Sequence, residues 1–311
     1  MAGSRLRIGV CGAGRVFERL YLPGLRGARG MEVVAVADPS PERRALAGER
    51  VAGFDGVEAM IAAGGLDAVA VLSPPRLHHE HTLAALRAGL PVLVEKPAAE
   101  TTAQLVEWAA AGADGMVTTS FSRRFWKKYR ALKSRERSAG SFQFLLQTSP
   151  EGWGPVERRE ADPLRDLMPH LIDLTRWVTG ERAVSVAAGE AMRPGQVILE
   201  LEVADGRRAI CIAAHGEGYE ESVGVEGERR QIGPPSTVES ALRRLRRAPD
   251  DDVAAFGEML RRWERRLRDE PSAGLPAFSD AWASVAAIEG YRESFATGGA
   301  SVAIRPMPGR A

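Results

Sequence analysis

The sequence contains no asparagine, only four lysines and only two cysteines. Without asparagine it has no acceptor for N-linked glycosylation and no chemistry that needs an asparagine amide. Cys11 and Cys211 are too few and too far apart for a disulfide framework or a cysteine zinc site, so we expect a reducing, cytoplasmic setting. No segment reaches the roughly 18 uninterrupted apolar residues of a membrane helix. The N-terminal stretch lacks the basic start and apolar run of a signal peptide.

The charge balance is close to neutral, with 42 Lys and Arg against 41 Asp and Glu. This balance gives no electrostatic reason to expect DNA, RNA or an anionic membrane as the partner. The arginines at 243–247 leave a nucleic-acid patch as an alternative, but the acidic residues at 250–252 and the interleaved leucines favour a solvated helix face.

A chain of 311 residues with 44% hydrophobic residues is typical of a globular protein with two domains.

The first 120 residues alternate apolar strands with helices. Continuous apolar strands separated by helices indicate a parallel sheet that is covered on both faces. We therefore predict an α/β fold whose first domain, residues 1–120, is a Rossmann-type, doubly wound parallel sheet that binds a dinucleotide. The predicted strands lie at 6–11, 31–37, 66–72, 91–94 and 115–119.

After residue 120 the pattern changes to longer strands, several of which alternate in polarity. Asp205 and Gly206 form a hairpin turn signal between two of these strands. Residues 121–311 are predicted to form an α+β domain with a mostly antiparallel, open sheet, for substrate binding and self-association. One option is that the final helix, near 281–296, packs back on the first domain. The predicted strands are 141–148, 183–189, 196–203 and 207–214, with a helix at 163–178.

Two glycines, Gly12 and Gly14, follow the first strand and open the first helix, which is the context that a dinucleotide-binding turn requires. Gly12 permits the tight turn, and Gly14 lets the backbone approach a pyrophosphate. Arg15 and Val16 begin the helix, whose N-terminus offers unpaired N–H groups to phosphate. Phe17 occupies the third position of the motif, where a small residue is expected, so it either displaces the helix or places an aromatic ring near the cofactor.

Asp38 ends the second strand, where a carboxylate can accept hydrogen bonds from the ribose hydroxyls of the adenosine. Its charge would repel a 2′-phosphate, so we expect NAD in preference to NADP. Arg43 and Arg44 on the next helix can counter this charge, which leaves NADP open. The alternative role of Asp38 is that of a simple helix cap.

Ser73 and Pro74 follow the third predicted strand, at the carboxyl edge where open parallel sheets bind ligands. We expect them to form a rigid lip against the cofactor, and His78 to pack near it. A metal site built from His78, His79 and His81 is disfavoured, since no second pair of ligands is evident.

Glu95 and Lys96 follow the fourth predicted strand at the same edge and precede a proline. A partly desolvated lysine at this point suits proton transfer, and we expect both residues to lie at the cofactor. A surface pair between the two side chains is the alternative. Because nearly all other basic residues of this chain are arginines, a lysine at this point favours proton transfer over a surface ion pair.

Asp166, His170 and Asp173 are spaced so that they lie on one helix face. An imidazole flanked by two carboxylates is a tuned proton acceptor. The alternative is an ion cluster on a helix surface with a capping role.

Together these motifs resemble the Gfo/Idh/MocA family, which includes glucose–fructose oxidoreductase and inositol dehydrogenase, and the resemblance covers nearly the whole chain. It implies that Lys96, Asp166 and His170 form the catalytic group. In that group His170 would take the hydroxyl proton, Asp166 would orient or share protons, and Lys96 would polarise the substrate oxygen and relay protons. The motifs that carry the resemblance to the family are the glycine turn, Asp38, Ser-Pro-Pro-x2-His, Val-Leu-Val-Glu-Lys-Pro, Phe-Ser-Arg-Arg-Phe at 121–125 and Asp-x3-His-x2-Asp at 166–173.

The resemblance also implies a substrate cleft, in which Asp173, Arg124 and Trp153 are candidate contacts, with packing as the alternative for the last two, and no metal. The expected activity is NAD(P)-dependent hydride transfer to or from a secondary alcohol or ketone of a sugar, aminosugar, nucleotide sugar or cyclitol, within specialised metabolism. An imine reductase and a non-catalytic dinucleotide sensor are the alternatives. Because open sheets commonly pair with a second copy, we expect a homodimer or homotetramer.

Overall fold

A computed structural model describes residues 4–136, 139–149, 162–233 and 251–309. The chain divides into two compact units, one formed by Met1–Phe125 with Asp250–Ala281 and the other by Trp126–Pro249 with Trp282–Ala311. Within the described ranges, no helix is both long and apolar enough to cross a membrane.

The strands and helices are numbered here in chain order. The strands are β1 Leu6–Cys11, β2 Met31–Ala37, β3 Ala52–Phe54, β4 Ala68–Val71, β5 Val92–Val94, β6 Val117–Thr119, β7 Ser141–Thr148, β8 Ala183–Gly189, β9 Gln196–Val203, β10 Arg208–His215, β11 Glu220–Val225, β12 Glu228–Gly233 and β13 Val302–Ala303. The helices are α1 Leu22–Gly27, α2 Pro41–Ala45, α3 Val57–Ala62, α4 His78–Arg87, α5 Thr102–Ala110, α6 Lys127–Arg135, α7 Pro163–Asp166, α8 Met168–Thr179, α9 Asp251–Leu267 and α10 Phe278–Ala296.

The first unit contains a parallel sheet of six strands in the order β3-β2-β1-β4-β5-β6. The order reverses between β1 and β4, so the carboxyl ends of these two strands flank the crevice where doubly wound sheets bind ligands. The strands are apolar because both faces are covered; β4 and β5, for example, are buried along their whole length. The predicted doubly wound fold is confirmed.

The first helix is irregular. Residues Phe17–Tyr21 form a π-helical turn, in which the N–H of Leu22 bonds to the carbonyl of Phe17 before α1 begins. Pro23 has no N–H to give to the carbonyl of Arg19, so a regular α-helical ladder cannot run through this segment. The wider turn buries Phe17 and Tyr21 completely. The helix expected after the glycine turn is therefore present over residues 15–27, with a π-helical turn inside it.

The first unit also contains α9, which contacts α1 and the π-helical turn. The buried side chains of α9 recur at helical spacing, as an amphipathic helix requires. They are Phe256, Met259, Leu260 and Trp263. Of the final helix α10, only the part up to Ala281 falls in the first unit, and the remainder belongs to the second.

The second unit contains a sheet of seven strands in the order β12-β11-β7-β10-β9-β8-β13. Only β7 and β10 pair in parallel; the other neighbours are antiparallel, as predicted. Gly206, at φ +86°, makes the hairpin turn between β9 and β10. Because β7 and β10 run in the same direction, their carboxyl ends lie at one edge of the sheet.

The helix predicted at 163–178 is divided into α7 and α8 at Leu167. Pro169 cannot donate to the carbonyl of Arg165, and its ring crowds that carbonyl, so the ladder is interrupted there. The N–H of His170 instead reaches the carbonyl of Leu167 at 3.1 Å. Helix α8 packs on β7, β9 and β10.

Candidate active site

The glycine turn lies at the carboxyl end of β1. Gly12 has φ +92°, and a Cβ on it would lie 2.6 Å from the backbone N of Ser73, so only glycine fits. The N–H of Gly12 bonds to Ala37 O at 2.8 Å, which ties the turn to the end of β2. At Gly14 a Cβ would meet nothing closer than Nη1 of Arg43 at 4.0 Å. Within the first unit the space above Gly14 is therefore open.

Asp38 is buried at the end of β2, and both of its carboxylate oxygens accept backbone hydrogen bonds. Oδ2 accepts from Ala13 N and Oδ1 from Ser40 N, each at 2.9 Å. The N-cap of α2 is the hydroxyl of Ser40, which accepts from Arg43 N at 3.2 Å. Asp38 is thus fixed beside the glycine turn rather than acting as the helix cap.

The two arginines after Asp38 have different surroundings. Arg44 donates to Asp38 O at 2.7 Å and forms an ion pair with Asp55. Arg43 is exposed, and its guanidinium is the nearest group to the open space at Gly14. Arg43 is therefore the better placed of the two for an additional phosphate.

Ser73 follows β4 and faces the glycine turn. His81 links it to β1, because Nδ1 of His81 lies 2.9 Å from Ser73 Oγ and 3.0 Å from Cys11 Sγ. Burial raises the pKa of Cys11 to about 12 and lowers the pKa of His81. His81 thus bridges the thiol at the end of β1 and the hydroxyl after β4 through a single ring nitrogen. Pro74, the next residue, is exposed.

His78 is fully buried at the start of α4 and joins two turns. Its Nδ1 lies 2.7 Å from Pro97 O, and its Nε2 lies 2.7 Å from Ser73 O. Burial lowers the pKa of His78 to about 4, so near neutral pH the ring carries one N–H and donates to one of these two carbonyls. His78 thereby connects the turn after β4 with the turn after β5.

Glu95 and Lys96 extend from the end of β5. The carboxylate of Glu95 is buried, accepts from Lys96 N at 3.0 Å through Oε2, and accepts from Tyr21 Oη at 2.8 Å through Oε1. Burial raises the pKa of Glu95, while the charge of Lys96 lowers it. Lys96 is partly exposed at the carboxyl edge of the sheet. Sequence reasoning did not identify Tyr21.

These residues fit a dinucleotide. The open space at Gly14 and the start of the helix at Arg15 and Val16 suit a pyrophosphate, and the fixed carboxylate of Asp38 suits a ribose diol. In strand order, β5 with Lys96 is two strands away from β1 with the glycine turn. Within the first unit the structure thus brings the predicted cofactor residues to one edge of the sheet.

In the second unit, Asp166 ends α7, and His170 and Asp173 lie on α8. Asp166 is about one-third exposed, whereas His170 and Asp173 are buried. The break at Leu167 separates Asp166 from the two residues on α8, so the single regular helix expected for this motif is not present. The roles of these three residues remain predictions.

His215, which the sequence motifs do not include, has its Nε2 3.7 Å from Oδ2 of Asp166. It ends β10, where it pairs in register with Thr148 of the parallel neighbour β7. Oγ1 of Thr148 is buried and has no hydrogen-bond partner among the residues that the structure describes. His215 and Thr148 therefore lie side by side at this edge of the sheet, and His215 is the one beside Asp166. The signal that sequence reasoning lacked was the parallel pairing of β7 with β10.

Arg124, a predicted substrate contact, is buried in a 3₁₀ turn at Ser122–Phe125. Its Nη2 lies 2.9 Å from Oδ1 of Asp280, at the start of α10. The carboxylate of Asp280 compensates the buried charge of the Arg124 guanidinium. Within the first unit, this contact supports a packing role for Arg124. Trp153, the other predicted contact, lies outside the described residues. Among the described residues, no group of three or more His, Cys, Asp or Glu is arranged to hold a metal ion.

Three comparisons relate this chain to known proteins. The family model described as "Oxidoreductase family, NAD-binding Rossmann fold", GFO_IDH_MocA, matches residues 6–120. Inositol 2-dehydrogenase of Streptomyces avermitilis is 32% identical over 310 residues, covering 90% of this chain and 89% of that protein. D-glucoside 3-dehydrogenase of Escherichia coli is 31% identical over 199 residues, covering 59% of this chain and 57% of that protein.

Among solved structures, myo-inositol 2-dehydrogenase from Lactobacillus plantarum matches with a TM-score of 0.79. The match covers 97% of this chain and 100% of that chain at 19% identity, which shows the shared fold. The sequence match over nine-tenths of both proteins, together with the Rossmann turn and the fixed Asp38, confirms the resemblance that the motifs indicated. This chain belongs to the Gfo/Idh/MocA family of oxidoreductases with an NAD-binding Rossmann fold.

Proposed function

We propose that this protein is an NAD-dependent dehydrogenase that interconverts a secondary alcohol and a ketone on a cyclitol or sugar-like substrate. The observation that carries the proposal is the placement of Lys96 and the Asp38-bound glycine turn at one carboxyl edge of the same parallel sheet. The relatives named inositol 2-dehydrogenase and D-glucoside 3-dehydrogenase suggest cyclitols and glycosides as the first substrates to assay.

NAD is the proposed cofactor in preference to NADP. The carboxylate of Asp38 is fixed by Ala13 N and would face a ribose diol, and a second negative group next to it would be repelled. The exposed guanidinium of Arg43 is the feature that would favour NADP, so direct titration of both cofactors decides between them.

The proposed chemistry divides between the nicotinamide and three side chains. When bound, the nicotinamide supplies the acceptor for the hydride that leaves the alcohol carbon. His170 takes the hydroxyl proton, so that the electron pair of the O–H bond forms the second bond of the ketone. Asp166 stabilises the imidazolium, and Lys96 donates a hydrogen bond to the substrate oxygen and exchanges protons with it. The reverse sequence reduces the ketone.

The surroundings of these groups support their roles. Lys96 is partly exposed and continues a buried strand, so its position is fixed while its amine stays accessible. Asp166 lies four residues before His170 in the sequence, and its carboxylate is 3.7 Å from Nε2 of His215, so it is placed beside an imidazole. Self-association as a homodimer or homotetramer stays a prediction.

The experiment measures NADH formation with inositols, simple glycosides, aminosugars and nucleotide sugars. Wild type is compared with Lys96→Ala and His170→Ala, and each should lower kcat by about 10²-fold or more because a proton-transfer group is lost. The exposed Lys127→Ala and the non-site His79→Ala are the matched controls and should keep wild-type turnover.

Three results would contradict the proposal. Wild-type turnover in both site variants would remove Lys96 and His170 from the mechanism. NAD binding without turnover of any alcohol or ketone would favour a dinucleotide sensor. Reduction of cyclic imines, with no activity on the alcohols, would favour an imine reductase.

A further inference from the structure

Two histidines, three positions apart on α4, hold Ser73 from two directions. Nε2 of His78 lies 2.7 Å from the carbonyl oxygen of Ser73, and Nδ1 of His81 lies 2.9 Å from its hydroxyl oxygen. Residues three positions apart lie on one face of a helix, so both imidazoles can reach the same residue. Ser73 is buried, and both its main chain and its side chain are thus fixed from α4.

Each of these histidines also reaches the end of a second strand. Nδ1 of His78 lies 2.7 Å from the carbonyl oxygen of Pro97, in the turn that carries Lys96. Nδ1 of His81 lies 3.0 Å from Sγ of Cys11, the last residue of β1. The two side chains, which we call the histidine bridge, therefore connect the ends of three neighbouring strands, β1, β4 and β5.

The histidine bridge lies at the crevice where the strand order of the sheet reverses. A dinucleotide lies across such a crevice, and Asp38 marks the side of the adenosine ribose, so the nicotinamide half extends over the ends of β4 and β5. The turns on the two sides of the crevice touch. Leu72 N bonds to Cys11 O at 2.7 Å, and a Cβ on Gly12 would lie 2.6 Å from Ser73 N. A displacement of Ser73 would therefore change the floor of the crevice.

The two sides of the crevice are held by different contacts. On the adenosine side, Gly12 N bonds to Ala37 O at 2.8 Å and Ala13 N bonds to Asp38 at 2.9 Å, without a histidine. On the other side, the carbonyls of the turns after β4 and β5 are contacted by His78. Loss of the histidine contacts should therefore loosen the nicotinamide side and leave the adenosine side in place.

We propose that His78 and His81 are positioning residues for the nicotinamide half of the cofactor. They act by fixing the turns after β4 and β5, which carry Ser73 and Lys96. The proposal rests on the proposed function for the identity of the cofactor, and it can be tested without turnover.

The test compares the binding of NADH and ADP to the whole protein. ADP carries the adenosine ribose and the two phosphates, whereas NADH carries the nicotinamide riboside as well. Calorimetric titration at pH 8 gives both dissociation constants, and their ratio, ADP over NADH, reports what the nicotinamide half contributes to binding. A variant that is merely less stable, but folded at the temperature of the assay, keeps the ratio of the wild type.

His81→Leu removes the ring nitrogen that reaches Ser73. Its Kd for NADH should rise about threefold to tenfold, the range that loss of one neutral hydrogen bond produces, while its Kd for ADP stays within about twofold of the wild type. His81→Asn is the conservative variant. Its amide is attached to Cγ, as Nδ1 is in histidine, so it can bond to the Ser73 hydroxyl and should restore most of the NADH affinity.

The matched control is His79→Leu, on the same helix. The ring of His79 stacks on Trp108 with 6.3 Å between centroids, and its Nε2 lies 3.5 Å from Glu107, so its side chain contacts α5 instead. Both dissociation constants should stay at the wild-type values. His78→Asn tests the other histidine, because its amide can keep the contact with Pro97 but loses the nitrogen that faces Ser73 O. The ratio should fall in this variant too, and it decides the test if His81→Leu does not fold.

An unchanged ratio in either folded variant overturns the proposal, even if the variant unfolds at a lower temperature than the wild type. Equal losses of NADH and ADP affinity overturn it as well, since the glycine turn would then depend on the histidines. Wild-type protein that binds NADH no more tightly than ADP overturns it together with NAD as the cofactor. A ratio that falls as expected, in a protein that oxidises no alcohol, supports the histidine bridge and contradicts the proposed function.

Discussion

The carboxylate of Asp38 accepts a hydrogen bond from the N–H of Ala13 at 2.9 Å, so the end of β2 is joined directly to the glycine turn after β1. The second oxygen accepts from Ser40 N at the same distance. A carboxylate fixed from both sides cannot turn away when a ligand arrives. For the proposed NAD binding, the orientation of this carboxylate is therefore set before the cofactor arrives, which lowers the entropy lost on association.

Asp38→Ala should weaken NAD binding by about tenfold to a hundredfold. Hydrogen bonds to a charged group contribute about 1.5–3 kcal/mol, and each 1.4 kcal/mol is a factor of ten. NADP should lose less, because the repulsion of its 2′-phosphate is removed as well. Calorimetric titration of both cofactors measures the change, with Glu42→Ala, an exposed carboxylate on α2, as the charge-matched control. Unchanged NAD affinity would contradict the role of Asp38.

His78 should make the stability of the protein depend on pH between about 6.5 and 4. Its pKa falls from 6.5 to about 4 on burial, so below pH 6.5 the unfolded chain takes up a proton that the folded protein does not. The contribution is complete above pH 6.5 and is lost as the pH falls through 4. It amounts to on the order of 3 kcal/mol. Burial lowers the pKa of His81 too, so that residue acts in the same direction.

Urea unfolding at pH 7.5, 6 and 5 tests this. His78→Gln keeps polar groups for the carbonyls of Ser73 and Pro97 but does not titrate, so its free energy of unfolding should fall less steeply with acidification than that of the wild type. Parallel pH curves for the two proteins would show that His78 is not the source of the dependence.

The ion pair of Arg124 with Asp280 should contribute strongly to stability, because the guanidinium is buried. Asp280→Asn removes the carboxylate charge from this buried pair and should cost about 3–5 kcal/mol of unfolding free energy. The comparison is Glu258→Gln, which breaks the more exposed pairs with Arg261 and Arg262 on α9 and should cost about 1 kcal/mol or less for each pair. Equal effects of the two substitutions would show that burial does not decide the strength of the Arg124 pair.

The parts of the fold that follow from local pattern were predictable. Five apolar strands separated by helices gave the parallel sheet, and the hairpin at Gly206 followed from its turn residues. The strand β12 was not predicted, because residues such as Arg229, Arg230 and Gln231 carry no apolar alternation. The short β3 was missed as well, since three partly exposed residues pair only because β2 is already in place.

The candidate site shows the same division. Gly12 and Asp38 could be assigned in advance, because the turn and the strand end that they occupy are defined by neighbours in sequence. Tyr21 could not, since its position depends on a π-helical turn that is interrupted at Pro23 and on the ring of Phe256. His215 reaches Asp166 because α7 packs on β10, a contact that no local pattern encodes.

The sequence by itself determined the family, the doubly wound sheet and the residue types at the cofactor turn, including the one lysine outside the segment 127–133. These depend on spacing along the chain, which fixes strand ends and helix starts. The tertiary structure alone decided which distant groups surround those residues: the phenol of Tyr21 at Glu95, the imidazole of His78 between two turns, and Asp280 at Arg124. Burial gives such contacts their strength, and burial is a property of the packed chain.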